Sequence, residues 1–244
     1  MGEQHSEWQN EAVIAAFLRD VREAIPGAAQ QLELLGTIVG AWCPGARRIV
    51  DLGCGDGLIG SRLLARLPET QVVFADFSEP MLAAARRRLV GESRAAIVRA
   101  DLSGPQWLAA LEAFGPVDAV VSGFVIHHLP DARKKALYAE IFARLAPGGV
   151  FLNLEQVSSA TPRITALYED YFIESIYQHH KRTGREKPRE AVVEAFAKRP
   201  TREENILAPV ADQCAWLRDI GFTDVDCYYK LFELAIFGGA KPRS

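Results

Sequence analysis

Hydrophobic residues recur at helical spacing near the start of the chain. In the range Glu11 to Ala24, apolar side chains stand at positions 13, 16, 17, 21 and 24. This spacing predicts a helix, which Pro26-Gly27 ends. A second apolar segment runs from Leu32 to Trp42 and stops before Pro44-Gly45. We expect residues 1–45 to form a helical cap over the edge or mouth of the unit that follows.

The middle of the chain alternates short apolar runs with amphipathic ones. Runs rich in β-branched and other apolar residues predict strands, and the amphipathic runs between them predict helices. This alternation predicts an α/β fold with a doubly wound parallel sheet, whose ligands bind at the carboxyl ends of the strands. The predicted strands are 48–52, 71–75, 96–100, 117–122 and 150–154, and the predicted helices are 58–67, 79–90, 106–114 and 131–145.

The alternation stops after residue 155. Residues 156–212 are polar and rich in Tyr, His, Arg and Glu, which predicts a helical lid laid over the sheet. Helices are predicted at 161–181, 189–198 and 211–220, and a closing antiparallel strand pair at 224–231 and 232–237. The predicted units are the cap (1–45), the core (46–155), the lid (156–212), and a last core helix with its strand pair (213–240).

Composition describes a folded globular protein. The chain has 244 residues, of which 49% are hydrophobic and 24% charged, and this excludes a disordered or fibrous protein. The net charge of -3 gives no overall attraction to nucleic acid or to an anionic membrane. The four cysteines lack Cys-x-x-Cys spacing, so neither a zinc site nor a disulfide framework is expected. We expect reduced thiols, and we see neither a leader nor an apolar run of membrane length. These features favour a cytoplasmic location.

A glycine-rich turn, Ile49 to Gly60, follows the first strand of the core. The alternating residues Gly53, Gly55 and Gly57 let the backbone turn tightly and approach a ligand closely. Asp51 and Asp56 add two carboxylates, which suit a cationic or hydroxyl-rich ligand better than a phosphate. A merely structural turn is the alternative for this loop when it is taken alone.

Asp76 ends the second predicted strand. It follows Gly57 by 19 residues, close to the spacing of about 20 residues at which a carboxylate in such a fold meets ribose hydroxyls. We therefore expect Asp76 to contact a ribose. The alternative role is the N-cap of the next helix, which Ser78 can also fill.

Four segments at successive strand ends together resemble the motifs of class I S-adenosylmethionine (SAM) dependent methyltransferases. They are Val50 to Gly57, Asp76 to Leu82, Arg99 to Leu102 and Val121 to Pro130. The resemblance implies a Rossmann-like, seven-stranded α/β sheet that is mostly parallel, with the last strand antiparallel. It implies SAM as the cofactor and S-adenosylhomocysteine as the product. The cofactor-binding residues that it implies are Asp51, Gly53, Cys54, Gly55, Gly57, Asp76, Phe77, Ser78, Met81, Asp101, Leu102, Ser122, Gly123 and Phe124.

The resemblance also implies a role for each part of this set. Phe77 and Met81 would flank the adenine. Asp101 would accept from the exocyclic amine while the Leu102 backbone N–H meets a ring nitrogen. The backbone of residues 122–124 would hold the methionine amino group.

Candidate catalytic groups follow the fourth and fifth strands. Methyl transfer from an activated sulfonium depends mainly on positioning and desolvation, and a base is needed only if the nucleophile loses a proton. His127 and His128 are the candidate bases, with His128 slightly ahead, and a core or loop-capping role is the alternative. Glu155 can orient a substrate group or anchor the lid through Arg163 or Lys181. No metal is expected, because no Cys or spaced carboxylate completes a first shell.

The lid carries the candidate substrate-binding residues. Tyr168 and Tyr171 would suit a flat or partly apolar acceptor. Beyond Glu155 the chain is similar to the carboxy-S-adenosylmethionine synthase family, which is associated with tRNA wobble-uridine modification. The similarity lies around Ile25-Pro26-Gly27, Lys198 to Leu207 and Leu217 to Phe222. It implies an arginine for the extra carboxylate of the unusual cofactor, and Arg199 or Arg202 can correspond.

The glycine loop departs from the carboxy-SAM synthase pattern. That family usually has Ser-Leu where this chain has Gly55-Asp56, so the loop favours an ordinary methyl donor. The expected function is cytoplasmic, SAM-dependent methylation of a small molecule. The alternatives are a carboxy-SAM synthase-like enzyme that uses prephenate, and a non-catalytic SAM-binding regulatory subunit. A small-molecule acceptor is the expected partner, a homodimer stays open, and direct binding of nucleic acid or a membrane is not expected.

Overall fold

A seven-stranded sheet forms the centre of the molecule. The computed structural model describes residues 6–243. The strands are β1 (Arg48–Leu52), β2 (Gln71–Asp76), β3 (Ala95–Arg99), β4 (Val117–Gly123), β5 (Leu145–Gln156), β6 (Thr223–Leu231) and β7 (Leu234–Ala240). Their order in the sheet is β3-β2-β1-β4-β5-β7-β6. Strands β1 to β5 run parallel, and β7 pairs antiparallel with both β5 and β6. The predicted α/β sheet with its antiparallel last strand is thereby confirmed.

Helices cover both faces of the sheet. They are α1 (Glu11–Ala16), α2 (Ala28–Trp42), α3 (Leu58–Arg66), α4 (Glu79–Arg88), α5 (Trp107–Ala110), α6 (Asp131–Arg144), α7 (Pro162–Arg182), α8 (Arg189–Ala197) and α9 (Val210–Ile220). Ile49 and Phe74 point to a core cluster shared with α2, α3 and α4, whereas Val50 and Val73 point to a cluster shared with α5, α6 and α9. The alternation of side chains along each strand thus buries both faces, as expected for a parallel sheet.

Two predicted helices are less regular than their sequence patterns suggest. After α1, the cap continues as a π-helical turn (Phe17–Val21) and a 3-10 turn (Arg22–Ala24). The predicted helix at 106–114 is the short α5 followed by a 3-10 turn. It ends because Gly115 precedes Pro116, and a residue before proline is disfavoured in helical conformation.

The lid helices pack against the cap. Ile173 and Ile176 of α7 and Val192 and Phe196 of α8 form an apolar cluster that also contains Ala24 of the cap. Cap and lid therefore contact each other directly. Within residues 6–243, no helix is long and apolar enough to cross a membrane.

Candidate cofactor and acceptor site

A cavity that opens to solvent lies at the carboxyl ends of β1, β2, β4 and β5. Ligands of doubly wound sheets bind at this edge. The cap forms the opposite wall, so the cavity lies between the strand ends and residues 8–32. The lining residues are Trp8, Phe17, Leu18, Arg22, Ile25, Ala28, Gln31, Leu32, Gly53, Cys54, Gly55, Asp56, Leu58, Ile59, Asp76, Phe77, Ser78, Met81, Gly123, Phe124, Val125, His128 and Leu154.

The glycine loop forms the floor of the cavity. Gly53, Gly55 and Gly57 all have left-handed backbone, with φ of 68°, 54° and 80°. The Gly53 and Cys54 N–H groups donate to the Ala75 carbonyl at 2.7 and 3.0 Å, which ties the loop to β2. A Cβ at position 53 would lie 2.5 Å from the Val125 side chain. Gly53, Cys54 and Gly55 line the cavity, whereas Gly57 is the N-cap of α3.

Asp76 joins the first two strand ends and lines the cavity. One carboxylate oxygen accepts from the Gly55 N–H and the other from the Ser78 N–H, both at 2.8 Å. Burial raises the pKa of this carboxyl, while the hydrogen bonds from Ser78 and Gly55 act in the opposite direction. Each oxygen has a further lone pair that can accept from a ligand hydroxyl. The N-cap of α4 is Ser78, whose side chain accepts from the Met81 N–H.

The other two acidic residues of the first motif have structural partners. Asp51 lies beneath the loop, fully buried, and one of its oxygens accepts from the Gly60 N–H at 2.8 Å. Burial raises the pKa of Asp51 to about 7. The Asp56 carboxylate forms ion pairs with Arg22 of the cap and Arg88 of α4. Both carboxylates therefore stabilise the loop, and Asp56 also joins it to the cap.

The second and third motifs differ in their access to the cavity. Phe77, Ser78 and Met81 line it, next to Asp76. Asp101 is not among the lining residues, because its carboxylate turns back to accept from the Ser103 backbone N–H and hydroxyl at 2.8 and 2.7 Å. Leu102 is buried in the core.

The end of β4 contributes mainly backbone to the site. Gly123 and Phe124 line the cavity, and Phe124 has a left-handed backbone with φ of 56°. Its N–H donates to the Leu154 carbonyl at 2.8 Å. Ser122 is buried behind them, where its hydroxyl donates to the Leu52 carbonyl at 2.7 Å. The sharp turn after β4 brings Phe124, Val125 and His128 to the cavity.

His127 and Glu155 form a buried pair behind the cavity. The Nδ1 atom of His127 is hydrogen bonded to Glu155, whose second oxygen accepts from the His127 backbone N–H at 3.0 Å. Glu155 is fully buried and its carboxylate also accepts from the Gln156 N–H. Its carboxylate thus holds the turn after β4, and the structure gives it these partners in place of Arg163 or Lys181.

His128 faces the cavity and has a defined tautomer. Its Nδ1 lies 3.3 Å from the carbonyl oxygen of Glu204. Because a carbonyl only accepts, Nδ1 carries the proton and Nε2 carries the lone pair. Nε2 is buried and has no hydrogen-bond partner in the described part of the chain. Burial, and secondarily the neighbouring His127, lowers the pKa of His128 well below its ordinary value. The ring is a neutral imidazole with an unused acceptor.

The four predicted substrate-binding residues of the lid do not line this cavity. Tyr168 is buried and stacks on Phe172, whereas Tyr171 is exposed and contacts Phe232. The Arg199 guanidinium lies 3.9 Å from the centre of the Phe196 ring and donates to the Phe196 carbonyl at 2.6 Å. Arg202 forms an ion pair with Glu169 at 3.0 Å. These side chains mainly contact other parts of the lid.

The sequence patterns missed several residues of the site, and three of them bear on its chemistry. Trp8 and Arg22 of the cap line the cavity, and Glu204 of the lid sets the His128 tautomer. Trp8 lies in a polar stretch with no helical periodicity, and Arg22 has no recognisable motif around it. Contacts between segments so distant in sequence leave no local signal.

The cavity has the donors and acceptors that SAM requires. Asp76 offers acceptors for ribose hydroxyls, the glycine loop leaves space for close approach, and the apolar side chains of Phe77 and Met81 suit an adenine ring. The Nε atom of Arg22 is a further buried group without a partner among the described residues. The residues present therefore fit a zwitterionic nucleoside ligand.

Comparisons with known proteins agree with this geometry. Residues 50–151 match a family model described as a methyltransferase domain. The chain is 27% identical to the carboxy-S-adenosyl-L-methionine synthase of Chromohalobacter salexigens, over 93% of this chain and 80% of that protein. It is 31% identical to the trans-aconitate 2-methyltransferase of Methylobacterium nodulans, over 78% of this chain and 63% of that protein.

A solved structure supports the same fold. The chain superposes on an O-methyltransferase family protein from Burkholderia thailandensis with a TM-score of 0.62 and 18% identity. The match covers 99% of this chain and 65% of the other. At this identity the similarity concerns the fold alone.

Proposed function

We propose that this chain, a SAM-dependent enzyme with a class I methyltransferase domain, transfers the methyl group of SAM to a hydroxyl oxygen of a small molecule. The observation that carries the proposal is the neutral His128 ring, whose unpartnered Nε2 belongs to a residue that lines the cavity. A base with a free lone pair suits an acceptor that must lose a proton as it reacts.

The predicted cofactor residues of the cavity belong to different strand ends. Asp76 ends β2, and together with Phe77, Ser78 and Met81 it would hold the adenosine, while Gly123 ends β4 and Phe124 and His128 follow it. The bound cofactor supplies a methyl carbon already activated by the sulfonium. The protein therefore has to bring the acceptor oxygen in line with that carbon and to exclude water.

His128 would remove the acceptor proton. Nε2 would take the O–H proton as the acceptor oxygen receives the methyl group, which the cofactor would supply while leaving as S-adenosylhomocysteine. The Nδ1 hydrogen bond to Glu204 keeps this nitrogen available. Apolar side chains of Phe17, Phe124 and Val125 surround the site and limit access of water.

Trp8 supports an oxygen acceptor in particular. Its ring centroid lies 5.9 Å from that of His128, and its indole N–H is buried with no partner among residues 6–243. A hydroxyl can donate to His128 and accept from Trp8 at the same time. The Trp8 N–H would also stabilise negative charge that develops on the oxygen.

The buried His127–Glu155 pair would act as support. The two histidine rings are in contact, with centroids 4.0 Å apart. Because Glu155 binds both the ring and the backbone of His127, it fixes the turn that carries His128. Both residues are therefore proposed as positioning residues.

Transfer of labelled methyl from SAM tests the proposal. The protein is incubated with methyl-labelled SAM and a panel of hydroxylated, partly apolar small molecules, beside a His128→Gln variant. We expect a labelled methyl ether product, and a loss of about 100-fold or more in turnover for the variant. Unchanged affinity for S-adenosylhomocysteine would show that the variant is folded. Equal turnover of the two proteins would contradict the role of His128.

A second candidate is synthesis of carboxy-SAM from SAM and prephenate. Similarity to a carboxy-SAM synthase along 93% of this chain supports it. The packing of Arg199 on Phe196, away from the cavity lining, favours methyl transfer instead. Mass spectrometry of SAM after incubation of the protein with SAM and prephenate distinguishes the two candidates. The second candidate would be established if a carboxylated cofactor forms with the unaltered protein and does not form with Arg199→Ala.

A further inference from the structure

Arg22 of the cap is a partly buried cation at the wall of the cavity. Its side chain is 18% exposed, and one terminal nitrogen is bound to the Asp56 carboxylate of the glycine loop. The Nε atom is buried and has no hydrogen-bond partner in the described chain. A buried N–H of a charged group without an acceptor is costly, which indicates that a ligand supplies the acceptor.

Arg22 shares its carboxylate partner with a second arginine. Asp56 also accepts from Arg88, which binds both its carboxylate and its backbone carbonyl. Asp76, the other acidic residue of the cavity lining, accepts from the Gly55 and Ser78 N–H groups. Among the described residues that line the cavity, Arg22 is the one with a permanent positive charge. An anionic ligand group would therefore find its cationic partner at Arg22.

We propose that Arg22 binds the carboxylate of the amino-acid part of SAM and of S-adenosylhomocysteine. This inference rests on the proposed cofactor site and on the methyl group facing His128, and it holds whichever atom of the acceptor receives the methyl group. Adenosine at Asp76 and a methyl group directed to His128 leave the amino-acid tail to run along the loop at the end of β1. The tail carboxylate there would receive charge-assisted hydrogen bonds from the guanidinium.

The contact would also couple the cap to the cofactor. Arg22 lies one turn after Phe17 and Leu18, which line the cavity together with Trp8. A cofactor that binds Arg22 therefore holds in place the segment that forms the acceptor wall. The cap would close over SAM, and the acceptor pocket would be complete only in the cofactor-bound protein.

Two ligands that differ only in the tail test the carboxylate contact. S-adenosylhomocysteine has the amino-acid group, whereas 5′-methylthioadenosine ends in a methyl on the same sulfur. Their affinities are measured by calorimetry for the unaltered protein and for Arg22→Gln and Arg22→Lys. Arg19→Gln is the matched control, because Arg19 lies on the same segment, is 59% exposed and pairs with Asp20.

We expect Arg22→Gln to weaken the binding of S-adenosylhomocysteine about 10- to 100-fold. The affinity for 5′-methylthioadenosine should stay nearly unchanged. Arg22→Lys should recover part of the loss, and Arg19→Gln should bind both ligands normally. If Arg22→Gln weakens the binding of both ligands equally, the proposal is overturned, because Arg22 would then act only by holding the loop through Asp56. No change in either affinity would overturn it as well.

Hydrogen exchange of the cap tests the coupling. S-adenosylhomocysteine should slow exchange of the amides in residues 11–25, and 5′-methylthioadenosine should not. In Arg22→Gln this protection should disappear even at saturating S-adenosylhomocysteine. Equal protection by both ligands would contradict the role of the carboxylate.

Discussion

Asp51 and Asp76 have the same side chain but different surroundings. Asp51 lies beneath the glycine loop, where one oxygen accepts from Gly60 and the other has no partner in the described chain. Asp76 lies at the cavity wall, where backbone N–H groups bind both oxygens. We therefore expect Asp51 to govern stability and Asp76 to govern affinity.

The buried Asp51 should make stability depend on pH. Its pKa is raised from 3.8 to about 7 in the folded protein. Its contribution to stability is thus fully present below about pH 4 and is lost as the pH rises through about 7. Replacement of Asp51 by Asn should raise the free energy of unfolding by about 1–3 kcal/mol at pH 8 and change it little at pH 4. Urea unfolding at both pH values checks this, and equal effects would contradict it.

Asp76 should determine cofactor affinity. Asp76→Ala removes the acceptor for the ribose hydroxyls and should weaken binding of S-adenosylhomocysteine by about 1–3 kcal/mol. Asp101→Ala is the comparison, because the Asp101 carboxylate is bound to Ser103 outside the cavity lining and its loss should cost less. Calorimetry measures both variants. If Asp76→Ala binds S-adenosylhomocysteine as tightly as the unaltered protein, the assignment of Asp76 to the cofactor site is wrong.

At the scale of elements, the glycine loop depends on its contact with the turn after β4. A Cβ at position 53 would meet Val125 at 2.5 Å, whereas a Cβ at Gly91 would meet nothing within 4 Å. Both glycines have positive φ, 68° and 82°. Substitution by alanine therefore carries the same backbone strain at both positions, about 1–2 kcal/mol, but a clash only at position 53.

Gly53→Ala should accordingly be the more damaging of the two changes. We expect it to lower the free energy of unfolding by more than Gly91→Ala does, and to weaken binding of S-adenosylhomocysteine. Gly91→Ala should leave that affinity unchanged, because residue 91 is remote from the cavity lining. Urea unfolding and calorimetry on the matched pair test this. Equal losses of stability would mean that Val125 moves aside without cost.

Elements were predictable where a local pattern defines them. The lid helix expected at 161–181 is α7 at Pro162–Arg182, and the strand alternation located all five parallel strands. The π-helical turn at Phe17–Val21 was not predictable, because its apolar spacing is compatible with an ordinary helix. Local periodicity determines which face is buried, but not the number of residues per turn.

At the scale of the whole molecule, the site depends on contacts between distant segments. Strand ends that a parallel sheet must bring together were predictable, so Gly53, Asp76 and Gly123 meet as expected. The tautomer of His128 depends on Glu204, 76 residues away, and the ion pair between Arg22 and Asp56 joins the cap to the core. Tertiary packing alone creates such pairs, and no periodicity in the sequence records them.

Native mass spectrometry of the purified protein, alone and after addition of SAM with prephenate, tests the central claim most directly. The account predicts a bound ligand with the mass of SAM or S-adenosylhomocysteine, and no conversion to a heavier, carboxylated form. A carboxylated cofactor on the protein, produced only when both SAM and prephenate are present, would contradict methyl transfer as the activity of this site.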